Sequence, residues 1–179
     1  MIGIRPVKSG DISPITRIYA DSVKNGTASF ELDPPGEHEM TRRQADLTAN
    51  KYPYLVAELD GEVAGYAYAS PFHRRLAYRW SVEDSIYVAP AAQRRGVGRT
   101  LLTSLIGEVE RLGFRQMVAV IGDPSTQAAS LALHRALGFR LVGTLAAIGF
   151  KHERWLDTVL MQRPIGVGAA SRPDAIVGA

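Results

Sequence analysis

Ser85-Ile86-Tyr87-Val88-Ala89-Pro90, followed by Gln93-Arg94-Arg95-Gly96-Val97-Gly98, is the stretch that decides the reading of this chain. The first segment reads as a strand. Beyond the second, Gly98 to Leu112 carries Leu101, Leu102, Leu105 and Val109 at helical spacing and is stopped by Gly113. A strand therefore gives way to a helix across a glycine-bearing loop. Backbone N–H groups at a helix start have no partner within the helix. They converge on one point, where the helix dipole adds partial positive charge. Gly96 and Gly98 keep side chains out of that point, and Arg94, Arg95 and Arg99 add charge around its rim. The loop is built to hold a pyrophosphate. Its spacing, Q-x-x-G-x-G, is neither the Walker pattern nor the dinucleotide G-x-G-x-x-G. A plain glycine-rich corner is the competing reading; the strand, the arginines and the helix together favour the anion.

Working outward, Ile2 to Val7 reads as a first strand, and Asp11 as the cap of a helix carrying Ile15, Ile18, Tyr19 and Val23, ended by Asn25-Gly26. A second helix is expected over Glu37 to Ala49. Tyr54–Leu59 and Val63–Ser70 flank Asp60-Gly61-Glu62, a hairpin signal. Trp80 to Val88 is a strand, and the apolar run Met117 to Ile121 a central one. Ser130 to Leu137 is a helix closed by Gly138; Phe139–Ile148 and Trp155–Gln162 are the last strands. The order β-α-α-β-β-β-α-β-α-β-β predicts an α/β fold, a mixed sheet with helices on its faces. Residues 1–163 are expected to form one domain. From residue 164 to 179 the composition turns to Gly, Ala, Val and Ser without periodicity, which reads as a flexible tail.

The 179 residues suit one domain with a core of its own, and 46% hydrophobic against 22% charged residues is a globular composition. A net charge of +3 is too small and scattered to indicate nucleic acid. There is no cysteine, which excludes a disulfide scaffold, a thiolate metal site and a cysteine nucleophile. His38, His73, His134 and His152 have no metal-ligand spacing, so no metal is expected. Met1-Ile2-Gly3-Ile4-Arg5-Pro6 is not a signal peptide, and no apolar run reaches the roughly 18 residues of a membrane helix. The expectation is a cytoplasmic protein without membrane or nucleic-acid partners.

The loop after a strand ending Tyr-Val-x-Pro resembles the acetyl-CoA motif of the GCN5-related N-acetyltransferase (GNAT) superfamily. More narrowly, the chain resembles the phosphinothricin and methionine sulfoximine (or sulfone) acetyltransferase branch. Thr27-Ala28-Ser29-Phe30-Glu31, Ser70-Pro71-Phe72, Arg75, Ala77-Tyr78, Trp80, Val82-Glu83, Val118 to Gly122, Leu133-His134, Leu137-Gly138-Phe139 and Gly149-Phe150-Lys151-His152 carry that resemblance, over roughly residues 2–163. It implies the GNAT fold, with splayed fourth and fifth strands, and acetyl-CoA as co-substrate. Tyr87 and Val88 would offer backbone to the pantetheine arm, and the Val88 N–H would polarise the thioester carbonyl. Amides of Arg94, Arg95, Gly96, Val97, Gly98 and Arg99 would take the pyrophosphate. Where the family often has Asn after the fifth strand, this chain has Gln127 nearby. The resemblance also suggests a homodimer.

A protonated amine must lose a proton before it attacks a thioester, so a base is needed. On the residues alone, Glu83 is an ordinary strand-face carboxylate; the resemblance makes it the catalytic base or an amine-binding group. Asp84 points to the opposite face of a regular strand. His134 stands where relatives carry a general acid, and an imidazole can donate near neutral pH. The competing reading is a helix histidine bonded to backbone. Arg75 matches a branch arginine for substrate, suited to clamp a carboxylate or phosphinate. Phe30, and less so Tyr78 and Trp80, are candidate pocket walls. Lys151 and His152 would line the substrate mouth or a subunit contact. Together these imply transfer of acetyl to the α-amine of a small amino-acid-like acceptor. The rival readings are a protein N-terminal or lysine acetyltransferase and a non-catalytic acyl-CoA-binding module.

Overall fold

Alternation along the strands separates two cores. In the computed structural model, which describes residues 1–173, Tyr54, Val56 and Tyr66 face one side of the sheet and Leu55, Ala57 and Ala67 the other. The strands are β1 (Ile2–Pro6), β2 (Tyr54–Leu59), β3 (Glu62–Pro71), β4 (Ser81–Val88), β5 (Gln116–Gly122), β6 (Arg140–Lys151) and β7 (Arg154–Pro164). They form one mixed sheet in the order β1-β2-β3-β4-β5-β7-β6, in which only the β4–β5 pair is parallel.

Helices α1 (Ile12–Asn25) and α2 (Glu37–Ala49) cover the tyrosine side, where Ile15, Val23 and Met40 are buried. Helices α3 (Val97–Arg111) and α4 (Ala128–Ala136) cover the other. The α3 stripe of Leu101, Leu102, Leu105 and Val109 is fully buried, as its spacing predicts. Each such leucine is worth about 1.5–3 kcal/mol of burial.

Two local expectations change. Asp11 does not cap α1 with its side chain. Its carboxylate instead accepts the Lys8 N–H (2.7 Å) and two Arg5 N–H groups (2.7 and 2.8 Å), tying the first strand to the helix start. Of the stretch 164–179 expected as a tail, Pro164 closes β7. Ile165 is 1% exposed, packs into the α3-side core and donates its N–H to Arg115 O at 2.9 Å. Residues 174–179 lie outside the described residues. Among the described residues no helix is long and apolar enough to cross a membrane.

Candidate active site

The parallel pairing of β4 with β5 runs from Ser81↔Gln116 to Asp84↔Ala119 and stops. Both strands continue, β4 against β3 as far as Val88 and β5 against β7 as far as Gly122. Beyond Asp84 and Ala119 they therefore diverge. Val120, in the middle of an otherwise buried apolar strand, is 39% exposed as a result.

The register determines which backbone groups this opening receives. Ala89 N–H bonds Ala64 O at 2.9 Å, and the register pairs Val88 with Gly65 and Tyr87 with Tyr66. In an antiparallel ladder every second pair is hydrogen-bonded. Tyr87 therefore spends its backbone groups on Tyr66, while those of Ile86 and Val88 point away from β3, into the opening. The Val88 N–H and carbonyl are thus left free by β3, and those of Ile86 likewise. The Tyr87 backbone, expected to face the opening, is turned to β3 instead, while its ring, edge-on to Tyr19 at 4.9 Å, lines both pockets.

At the far end of β4 lies the glycine loop. Gly96 is the N-cap of α3 at φ 87, a left-handed conformation that suits glycine, and no side chain caps the helix. Arg94 is also left-handed (φ 59). Alternating handedness of this kind turns successive N–H groups toward one side. The first intrahelical bond at this end is Thr100 N–H to Gly96 O (3.1 Å), which leaves the amides before it for a ligand. Val97 is buried and pins the loop to the core; Gly98 sits against Val88 and Leu133. Arg94 and Arg99 are exposed at the rim. Arg95 is drawn to Asp60 of the β2–β3 turn at 3.0 Å, so its charge is shared with that turn.

Two adjoining pockets open beside the divergence. One, of about 120 Å³, is lined by Asp84, Ile86, Gln127, Ser130 and His134 among others. Gln127 is thus in the cleft, at the start of α4. The second, of about 280 Å³, is lined by Phe30, Tyr68, Glu83, Ser85, Tyr87, Val120 and Thr158 among others. Ala28, Ser85, Tyr87, Val120 and Gly122 border both.

Glu83 and Asp84, adjacent in sequence, fall on opposite faces as strand geometry requires. Glu83 enters the second pocket with no hydrogen bond or ion pair among the described residues. Burial, and then the Asp84 charge, push its carboxyl from 4.5 up to about 7. A carboxyl poised there accepts a proton near neutrality. Tyr68 lies on the same wall.

Asp84 instead meets His134, with Oδ2 to Nε2 2.9 Å apart and both side chains nearly inaccessible (2% and 5%). The His134 Nδ1 faces the Ser130 backbone carbonyl at 2.8 Å. Both ring nitrogens therefore face acceptors, and an imidazolium satisfies both. Burial works against the charged ring, but the Asp84 hydrogen bond, its charge and the Ser130 carbonyl outweigh it, so the His134 pKa is raised. Asp84 Oδ1 is buried without a partner. The sequence did not signal this pairing, because it joins α4 to β4 across 50 residues.

Phe30 lies on the segment between α1 and α2. Thr27 Oγ1 donates to Asp123 Oδ2 at 3.0 Å, and Lys151 Nζ donates to Ser29 O at 2.7 Å. Tyr19 OH lies 3.0 Å from Ser29 Oγ, and His152 Nε2 lies 3.3 Å from Gly26 O. Lys151 and His152 thus hold the segment from the end of β6. Arg75 does not reach these pockets. It is exposed in the β3–β4 loop, without an ion pair among the described residues. Tyr78 packs with His73 in that loop, and the Arg79 guanidinium lies 3.9 Å over the Trp80 ring, so neither aromatic walls the pocket. Among the described residues no group of three or more His, Asp or Glu is gathered for a metal.

This geometry has close counterparts. Residues 4–160 match the family described as acetyltransferase (GNAT) domain. A phosphinothricin N-acetyltransferase of Alcaligenes faecalis is 50% identical over 171 residues, 96% of this chain and 86% of the relative. An L-methionine sulfoximine/L-methionine sulfone acetyltransferase of Salmonella typhimurium is 39% identical over 175 residues, 96% of this chain and 98% of the relative. The crystal structure of a GNAT superfamily phosphinothricin acetyltransferase from Sinorhizobium meliloti, in complex with acetyl-CoA, superimposes with a TM-score of 0.95 at 51% identity. That match spans 99% of this chain and 96% of the other.

Proposed function

Since the chain belongs to the GNAT acetyltransferase family, we propose that it moves acetyl from acetyl-CoA to the α-amine of a small amino-acid-like acceptor. Phosphinothricin, methionine sulfoximine and methionine sulfone are the leading acceptors, since its relatives are named for them. The observation that carries this reading is the divergence of β4 and β5 beside a pocket holding a carboxyl poised near neutrality.

Acetyl-CoA supplies an activated acyl thioester. The chain fits it at two places: the uncapped start of α3 suits a pyrophosphate, and the free Ile86 and Val88 backbone suits an amide-bearing arm. Glu83 takes the ammonium proton, freeing the nitrogen lone pair for the carbonyl carbon. The Val88 N–H, directed into the opening, stabilises the developing oxyanion. Collapse expels the thiolate, and the second proton on the attacking nitrogen passes to it by way of solvent, leaving the neutral amide and free CoA thiol. We assign His134 to positioning β4 through Asp84, since its two nitrogens are already engaged. Arg75, exposed in the β3–β4 loop, remains a candidate for the acceptor's acidic group. One domain carries this activity, extending past residue 163 to include the buried Ile165.

Thiol release from acetyl-CoA, measured against phosphinothricin, methionine sulfone and short peptides, tests the reading. Turnover on the free amino acids and none on peptides is expected. Turnover on peptides alone would support the protein-acetyltransferase rival, and CoA binding without any turnover the non-catalytic one. Replacing Gly96 by Val should raise the KM for acetyl-CoA about 10- to 100-fold. The branched side chain is disfavoured at φ 87, and one or two charge-assisted bonds are lost. The acceptor KM should not follow.

The homodimer belongs to the same reading. Edge strand β6 exposes Leu141, Val142, Leu145, Ile148 and Phe150, with Trp155 of β7 alongside. A long apolar edge of this kind is a liability unless covered. Leu145→Glu combined with Ile148→Glu should convert a dimer to a monomer in light scattering. A double variant that keeps the wild-type mass would place the interface elsewhere.

A further inference from the structure

Phe30 occupies a slot that exists only because two residues on different strands have no side chain. A Cβ at Gly149 would stand 2.2 and 2.4 Å from Phe30 Cε2 and Cδ2. One at Gly122 would stand 2.6 Å from Cε1, and 2.7 Å from Thr27 O. Neither glycine has a positive φ, so the backbone at these positions would accept any L-residue. The ring alone excludes them at Gly149, and the ring with the Thr27 carbonyl at Gly122.

The register explains the slot. Gly122 pairs with Thr158 and Gly149 with Leu156, and opposite residues share a face. The ring therefore bridges from β5 to β6, over β7. A bulge between Leu145 and Gly149 sets this phase of β6, with Ala147 left-handed and its N–H on Asp157 Oδ1 at 2.8 Å. The segment carrying Phe30 is fixed on both sides of the ring, by Lys151 and Tyr19 at Ser29 and by Tyr19 again at Glu31 Oε1 (2.9 Å). The ring cannot retreat with its backbone. Anything that fills the slot must push it into the second pocket, which it shares with Glu83 and Thr158.

We propose that Gly122 and Gly149 are specificity-determining residues: by seating the Phe30 ring they set the depth of the acceptor pocket and hence the length of acceptor side chain that fits beneath Glu83. The inference rests on the acetyl-transfer reading above. It gives the glycine of Gly149-Phe150-Lys151-His152 a role independent of subunit contact.

Gly149→Ala is the sharper variant, because its clash is with a ring and not with backbone. The variant's KM for methionine sulfone and phosphinothricin should rise about 10- to 100-fold, and for alanine much less. Its KM for acetyl-CoA should equal that of the wild type. Adding Phe30→Leu should restore much of the long-acceptor KM, which a loss through general destabilisation would not do. Should Gly149→Ala fail to fold, Phe30→Ala in the wild-type background must widen the acceptor range toward longer or branched side chains. An unchanged acceptor ranking in Gly149→Ala would overturn the proposal. So would a double variant worse than either single, or, where Gly149→Ala does not fold, an unchanged range in Phe30→Ala. Absence of turnover in the wild type overturns the acetyl-transfer reading instead, so the two failures are distinguishable.

Discussion

Glu83→Gln is expected to lower kcat/KM for acetyl transfer by about 10²- to 10⁴-fold at neutral pH, the usual contribution of a positioned base. The wild-type profile should rise with pH and level off above about 7, where the Glu83 carboxyl is ionised. The glutamine variant should lack that limb. The same substitution should affect stability in the opposite direction. Because the folded-state pKa lies above the ordinary glutamate value of 4.5, the folded chain holds this proton longer than the unfolded one. Wild-type stability therefore falls as pH rises from about 4.5 to about 7. Glu83→Gln removes that loss and should stabilise the protein at pH 8 by on the order of 1–3 kcal/mol, discounted for the part of the group that water reaches. A variant that is less active yet melts higher is the pattern of a site strained for function. Equal activity of Glu83→Gln and wild type at neutral pH would exclude Glu83 as the base.

Asp84→Ala is expected to have the largest effect on stability. It leaves the His134 imidazolium buried without its carboxylate, which costs about 3–5 kcal/mol. For a domain of this size that is a fall in Tm of roughly 6–20 °C. The pH dependence follows from the raised His134 pKa. The pair's stabilisation is fully present below the unfolded histidine value of 6.5, and is lost as pH rises through the folded value. The gap between wild type and variant should therefore be widest at pH 6 and narrow in alkali. A second readout separates this from simple unfolding. Removing the Asp84 charge should move the acid limb of the rate profile to lower pH, because that charge helps to hold the Glu83 carboxyl up. Melting of Asp84→Ala within 2 °C of wild type at pH 6 would show that Asp84 and His134 do not form a stabilising ion pair.

What could be read from sequence was what is encoded locally. Glu37–Ala49 and Tyr54–Leu59 form the helix and strand read from them, and the glycine loop begins a helix where its spacing places one. The opposed faces of Glu83 and Asp84 follow from strand geometry alone. What was not legible depends on register and on distant partners. The exposure of Val120 comes from the end of β4–β5 pairing, which no property of an apolar run reveals. That Tyr87 spends its backbone on Tyr66, leaving Ile86 and Val88 to the opening, is decided by the phase of the β3–β4 ladder. Asp84 with His134, Arg95 with Asp60 and Phe30 between Gly122 and Gly149 all join elements far apart in the chain. Ile165 reads as tail because its neighbours are small and aperiodic, yet its one apolar side chain is buried in the core.

We propose that the cleft beside Glu83 moves acetyl to the α-nitrogen of a small amino-acid-like acceptor. Incubating the purified protein at pH 8 with acetyl-CoA and methionine sulfone, and identifying the product by mass spectrometry, tests it most directly. N-acetyl-methionine sulfone, formed in step with free CoA thiol and lost in Glu83→Gln, is the predicted result. CoA thiol released without any acetylated acceptor, or no reaction with methionine sulfone or phosphinothricin, would contradict it.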